Sequence, residues 1–391
     1  MLTNAFAVHS AFSIEAFSIA SMNVLVANLG STSFKYKLLD MSVDGEVIAK
    51  GGYERIGQSG SPYKTHGDVI SVIMKDLPEP PDAIGFKAVH GGPISGAVRV
   101  TDEVISTMEQ FADVAPAHNP PYIAAMRAFR EKLPQVPQVA AFETAFHQTI
   151  PLARQIYAIP HEWTEKLGIR RYGFHGASHR YIATRVRELL GTSARRIISC
   201  HLGGSCSICA IENGKSIANS FGMTAQSGVP HNNRVGDFDT FALLKLLKQG
   251  LSLDEIFKKL GKEGGMQGMS GISCDMRDIE KAASEGNSRA KLAVDAFVES
   301  VRHFIGAYLV ALGGIDVLAF TGGIGENGAA IRDAICRNLE WAGIAIDPQK
   351  NLVRGKETKI SKVESGAEVW IIPTNEELIV ARQTMAVLTA N

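Results

Sequence analysis

Arg196 to Gly214 reads R-I-I-S-C-H-L-G-G-S-C-S-I-C-A-I-E-N-G. An apolar run, a glycine-rich turn, a second apolar run and a closing Asn-Gly turn make a strand–turn–strand unit. The same pattern occurs earlier, from Asn23 to Gly45, as N-V-L-V-A-N-L-G-S-T-S-F-K-Y-K-L-L-D-M-S-V-D-G. Aligning Asn28 with His201 sets Leu29 on Leu202, Gly30 on Gly203, Ser31 on Gly204 and Thr32 on Ser205. Two such units roughly half a chain apart predict a duplicated domain whose halves meet across a cleft. Gly and Ser at both turns admit close approach of a ligand and offer N–H and hydroxyl donors, which suits a phosphate chain.

The totals bound the rest. A chain of 391 residues exceeds one ordinary core, so two domains are expected. Apolar content of 45% with 20% charged residues is that of a globular protein. Lys+Arg and Asp+Glu both number 40, so no net charge points to nucleic acid or an anionic membrane. Five cysteines, an odd number, fit a reducing compartment, hence the cytoplasm. Cys206 and Cys209 lie three apart on a strand and so face opposite ways, which argues against a shared metal. No apolar run is long enough to span a bilayer. Residues 1–21 contain no Lys or Arg, and His9 and Glu15 interrupt their apolar stretch. They read as an N-terminal extension rather than a signal peptide, with the fold beginning at Met22.

Along the chain, strands and helices alternate, which sets the class as α/β. After the first hairpin, 53–65 reads as a polar loop and 66–75 as a helix. A strand at 83–89 delivers His90-Gly-Gly-Pro93 into a loop, and 102–111 reads as a helix. Residues 115–121 read as a rigid elbow, 122–133 as a helix and 136–142 as a strand. Beyond the connecting region from Pro151, helices are expected at 180–190, 241–249, 253–260, 279–312 and 329–342. Strands are expected at 316–320 and 368–372, and a last helix closes the chain. Polar or Gly-rich turns follow strands at Asn28, His90, His201 and Thr321, as a nucleotide cleft in a duplicated α/β protein requires.

The ordered set of motifs resembles the acetate kinase family, which includes propionate and butyrate kinases. The set comprises Asn28-x-Gly-Ser-x-Ser-x-Lys35, Val89-His-Gly-Gly92, His118-Asn-Pro-Pro121 and Thr144-Ala-Phe-His147. It continues with Tyr172-Gly-Phe-His-Gly-x-Ser-His179, His201-Leu-Gly, Ser270-Gly-x-Ser-x-Asp-x-Arg-Asp278, Thr321-Gly-Gly-Ile-Gly-Glu-Asn327 and Thr374-Asn-Glu-Glu377. The resemblance implies two actin-like, ribonuclease H-like domains: 22–150 with the C-terminal helix 378–391 packed back on it, and 151–377. It implies ATP-dependent conversion of acetate to acetyl phosphate by direct in-line transfer, with Mg²⁺ and a homodimeric enzyme. A carboxylate is already an anion and needs no general base, so the catalyst must position and neutralise charge.

Site roles follow from the same resemblance. Arg234 and His175 stabilise the transferring phosphoryl, with Glu143 organising the centre. Asn28 and His201 contact phosphates, together with Lys35, Gly203 and Gly204. Asp275 and Arg277 lie near the adenosine, and Gly322, Gly323, Gly325, Glu326 and Asn327 form its purine and ribose loop. Glu376, with Asn28, is associated with Mg²⁺, and Glu377 is the alternative if the alignment slips by one. Lys87, Val89, Ala117, Phe174 and Ala225 line the acceptor pocket.

Departures from the family pattern bear on the substrate. Lys87 stands where an Arg usually meets the acid, and one ammonium replaces a planar fork. Glu143 replaces an Asp, one methylene longer, and the two changes are expected to compensate each other. Ala117 and Ala225 replace Leu and Pro, which favours an acid longer than acetate by about 0.8 kcal/mol per buried CH₂. Propionate or butyrate kinase is therefore the nearest rival reading. A weak ATP-binding regulator, its chemistry broken at positions 87 and 143, is a rival from another class.

Overall fold

A computed structural model of the chain describes residues 22–112 and 118–390. The expectations for residues 1–21 and for Ala117 lie outside the described residues. The first hairpin forms as read: β1 (Asn23–Gly30) and β2 (Ser33–Asp40) pair antiparallel, with Asn28 opposite Lys35. β3 (Glu46–Glu54) continues the meander, and β4 (Ala83–Ala88), β5 (Ala97–Arg99) and β6 (Gln138–Phe142) complete a six-stranded sheet ordered β3-β2-β1-β4-β6-β5. β4 runs parallel to β1 and β6 parallel to β4, while β5 pairs antiparallel on the edge.

The second half repeats this plan. β7 (Arg196–Leu202), β8 (Cys206–Glu212) and β9 (Lys215–Asn219) form the meander. β10 (Val317–Thr321), β11 (Thr358–Lys359) and β12 (Glu368–Ile371) complete a sheet whose order, read from the β9 edge, is β9-β8-β7-β10-β12-β11. Strand by strand the directions match the first sheet. The duplication read from two hairpins therefore extends over both sheets, and it places Asn28 and His201 near the ends of equivalent strands.

Two helices fill the space between the sheets. Glu376–Thr389 lays Leu378, Val380, Ala381 and Met385 on Val24, Val26 and Ala83 of the first sheet. Gly176–Leu190 lays Ile182, Ala183 and Val186 on Ile197, Ile211 and Val317 of the second. Tyr181 packs against both clusters. On the outer faces, Phe34, Phe86, Tyr122 and Phe129 anchor one core, and the apolar stripe of Ser288–Leu312 covers the other. Burying each such side chain contributes about 1.5–3 kcal/mol.

Several boundaries differ from the sequence reading. The helix expected over 279–312 is two, Met276–Ser284 and Ser288–Leu312. The break falls where Gly286 takes φ +95° and the Asn287 side chain accepts from Ala290 N–H as a cap. The elbow 115–121 ends inside a helix, Asn119–Lys132, whose first turn accommodates Pro120 and Pro121. The helix expected from 180 begins at Gly176, and the one expected over 329–342 ends at Cys336. β3 escaped the reading because it is largely exposed and carries Gly51, over which the Tyr36 ring lies.

Candidate active site

The earlier start of Gly176–Leu190 organises the site. His175 precedes it with φ +56°, a left-handed conformation unusual for a residue with a side chain. Gly176 N–H donates to the Glu143 carbonyl, and a Cβ on Gly176 would stand 2.1 Å from that oxygen. The end of β6 and the start of the helix are thus in contact, which brings Glu143 beside His175. Ser178 and His179, in the first helical turn, face the middle and end of β7 and the start of β8.

A buried group of imidazoles and hydroxyls results. His175 Nδ1 and His179 Nε2 each lie 2.8 Å from Ser207 Oγ, and His179 Nδ1 lies 2.9 Å from Ser199 Oγ. Ser178 Oγ is 2.8 Å from His201 Nδ1, and the rings of His175 and His201 are 4.1 Å apart. Behind them His147 bonds Ser216 and the Phe174 carbonyl. Burial pushes His175 and His179 well below the ordinary histidine range and lowers His201 and His147 as well, the last to about 4.

Lys87, near the end of β4, joins two carboxylates. Its Nζ pairs with Glu376, the first residue of the C-terminal helix, and stands 3.4 Å from Glu143 Oε1. Burial works to lower the Lys87 ammonium, but the two carboxylates win and hold it well above its ordinary value. Burial raises both acids too; at Glu376 Lys87, with His201 and Lys37, more than offsets this, whereas the Glu143 carboxyl is pushed up. Lys87 therefore chiefly neutralises Glu376, and Glu143 is the less compensated charge. Glu377 turns away to Lys37 on β2 at 2.9 Å, so the acid facing this cluster is Glu376. Tyr122 ties Asn28 to the same corner: its hydroxyl accepts from Leu29 N–H at 2.9 Å and approaches Asn28 Oδ1 at 3.5 Å.

Arg234 reaches the cluster from the loop between β9 and the helix Ala242–Lys248, donating to the Ala225 carbonyl at 2.5 Å. His118, held down to about 4 by burial, Arg234 and Lys87 in that order, faces both cations. Phe174 packs edge-on against Phe221 and tilts toward His90, the neighbour of Val89. The expected acceptor residues Lys87, Phe174 and Ala225 thus lie at the corner that also holds Glu143, His175 and Arg234, while Val89 packs on the core of the first half.

The second feature is a cavity of about 1040 Å³ whose walls include Gly203, Gly204, Asn232, Asp275, Arg277, Gly323 and Asn327. Part of its wall is the β7–β8 turn, where a Cβ on Gly203 would be 3.8 Å from His201 Nε2 and 3.7 Å from Gly323 N. Asp275 caps the helix Met276–Ser284 and pairs with Arg277, which lowers its carboxyl to about 2.

Three expected members of the glycine loop stand elsewhere. Gly322–Asn327 is itself a short helix, so the loop does not lead directly into the helix at Ala329. Gly322, at φ +76°, packs on the Leu202 carbonyl, and Gly325 lies against β7 and β10. Glu326 accepts from Gly322 N–H at 2.9 Å. These three shape the loop, while Gly323 and Asn327 face the cavity. Lys35 is exposed on β2 and is absent from the cavity wall.

Sequence reasoning missed other wall residues, among them Asn232 and Arg354, and the residue that braces the wall. Arg332 is fully buried and, among the described residues, bonds no carboxylate. It donates to the Gly325, Asn351 and Val353 carbonyls, tying the loop to the segment opposite. No motif signals it, because an Arg in a helix reads as exposed.

Comparison with known proteins follows the same lines. A family model described as the acetokinase family matches residues 68–382. The chain is 46% identical to an acetate kinase of Dictyoglomus thermophilum, over 94% of this chain and 99% of that protein. A crystal structure of Porphyromonas gingivalis acetate kinase is similar with TM-score 0.88 and 40% identity, covering 94% of this chain and all of that one. A propionate kinase structure from Francisella tularensis gives TM-score 0.87 and 35% identity over the same shares.

Proposed function

The chain belongs to the acetokinase family, and from that premise we propose that it transfers the γ-phosphoryl group of ATP to acetate, giving acetyl phosphate and ADP. The observation that carries the reading is the junction of the two features: Gly203 and Gly323 belong to the cavity wall, Gly203 stands beside His201, and His201 lies against His175. A nucleotide lying in the cavity would direct its phosphates along the glycine turns to this imidazole pair.

Each residue then has a task set by charge. A carboxylate oxygen attacks phosphorus in line as the bond to the ADP oxygen breaks, with no proton to remove. Both partners are anions, so Arg234, His175 and His201 supply charge and donors to the phosphoryl oxygens. Lys87 orients the acid against Phe174 and Val89, and Glu143 positions Lys87. Asp275, Arg277 and Asn327 hold the nucleoside.

Among the described residues no group of three or more His, Cys, Asp or Glu could by itself hold a metal. Mg²⁺ needs no such cage, because it commonly takes one or two protein oxygens and completes its shell with phosphates and water. Asn28 Oδ1 and the partly buried Glu376 carboxylate are hard oxygen donors at one corner and fit that use. When bound, the ion supplies positive charge to the phosphate oxygens.

We assign residues 22–150 with 378–391, and 151–377, as the two units that close on the substrates. A cytoplasmic setting agrees with five free thiols. A homodimer is the expected assembly, and exposed Phe241, Leu244 and Phe257 offer a second copy an apolar face.

The test is ATP-dependent acyl phosphate formation, trapped with hydroxylamine, across acetate, propionate, butyrate and no acid. Turnover highest on acetate supports the proposal. A peak on propionate or butyrate moves the substrate to the longer acid, and acid-independent or absent turnover refutes the kinase reading.

A further inference from the structure

Every hydrogen-bond direction in the buried cluster behind His175 can be worked out by counting hydrogens. Ser199 Oγ, His179, Ser207 Oγ and His175 Nδ1 form one chain, with links of 2.9, 2.8 and 2.8 Å. Ser199, Ser207 and His179 are fully buried. Burial keeps both imidazoles neutral, so each carries one N–H. Ser207 has one hydrogen and two histidine neighbours, so it can donate to only one of them. Three arrangements of the chain exist; the one in which both imidazoles donate to Ser207 leaves the buried Ser207 hydrogen with no acceptor among the described residues, and two others remain.

In one arrangement His175 Nδ1–H donates to Ser207, Ser207 donates to His179, and His179 donates to Ser199. The Ser199 hydroxyl hydrogen is then left buried with no acceptor among the described residues. In the other, Ser199 donates to His179 Nδ1, His179 Nε2–H donates to Ser207, and Ser207 donates to His175 Nδ1. Every hydrogen now has a partner, and only spare lone pairs go unused. An unsatisfied buried donor costs more than an unused lone pair, so the second arrangement prevails.

We propose that Ser199, His179 and Ser207 are positioning residues that lock His175 in the Nε2–H tautomer, aiming a hydrogen-bond donor at the transferring phosphoryl group. The opposite tautomer would present a lone pair to phosphoryl oxygens and repel them. A serine hydroxyl also partners the inner nitrogen of His201, with Ser178 Oγ 2.8 Å from Nδ1. Each task is carried out by small hydroxyl side chains because an acid in their place would bring a buried negative charge next to the phosphates.

The proposal rests on the assignment of His175 to the phosphoryl group, and its first readout is independent of activity. Long-range ¹H–¹⁵N spectra of imidazole-labelled full-length protein report which nitrogen of His175 carries the proton. The wild type should show the Nε2–H form, and Ser207→Ala should show mixed or reversed tautomers. Ser207→Ala should also lower kcat roughly 10- to 100-fold, the cost typical of losing a partner that orients an active group, with KM for ATP and acid nearly unchanged. Ser207→Thr, which retains the hydroxyl, should recover most of the loss. An Nδ1–H wild-type His175, or a folded Ser207→Ala with unchanged kcat, overturns the proposal. Should Ser207→Ala fail to fold, the wild-type spectrum still decides. An inactive wild type with the Nε2–H form would refute the kinase reading and leave the relay standing.

Discussion

Lys87 and Glu143 show what a conservative exchange does in a packed site. The pair meets at 3.4 Å, and Lys87 simultaneously serves Glu376. An Arg at 87 would bring a fork into space already shared with the longer Glu143, while an Asp at 143 would draw its carboxylate away from the ammonium. Lys87→Arg and Glu143→Asp are each expected to lower kcat/KM for the acid. The double variant should recover part of the loss, with a coupling energy of about 0.5–3 kcal/mol. Equality of the double to the product of the singles would show the two positions to be independent. The sequence marked both as departures, and their contact is the finding of the structure. Arg332 was illegible for the opposite reason: its four partners are three carbonyls and an amide side chain, Asn351, which carry no residue-type signal that pairs with an Arg.

At the scale of elements, the decisive feature is where the helix Gly176–Leu190 starts. The apolar periodicity begins near Arg180, so a reading by period places its start there. The extra turn exists because Gly176 can lie against the Glu143 carbonyl. It converts Ser178 and His179 from loop residues into fixed members of the site. Gly176→Ala forces a methyl group to within 2.1 Å of that carbonyl. It should cost about 1–3 kcal/mol by overpacking and displace both His175 and Glu143. The expected result is a lower thermal midpoint together with a fall in kcat. A variant with wild-type midpoint and turnover would show that the junction yields without consequence. β7 and β8 were legible by contrast, since each writes its own strand pattern and the turn between them is glycine-rich.

Over the whole molecule, the buried histidines link folding to pH. His147 is held at about 4 and His231 at about 3, against an ordinary 6.5, chiefly by burial. His231 also accepts from Cys206 N–H through Nδ1. Above pH 6.5 neither the folded nor the unfolded chain protonates these groups, and their neutral state costs nothing. Below that value the unfolded chain takes up protons that the native one refuses, so stability falls as pH falls. Each such histidine contributes a slope of up to about 1.4 kcal/mol per pH unit. Urea unfolding at several pH values should therefore show stability dropping between pH 6.5 and 4, and replacing His147 by Gln should flatten that slope. An unchanged slope in a folded variant would exclude His147 as a contributor. The sequence by itself determined the duplication, the α/β class and the family, because strand patterns, glycine turns and ordered motifs are local properties of the chain. Only the tertiary structure decided that Glu376 rather than Glu377 faces Lys87, that Gly322, Gly325 and Glu326 build the loop rather than line the cavity, and that serines set the direction of the imidazoles. Those outcomes depend on which side chains share a buried volume, and distances between segments far apart in the chain are not written in either segment.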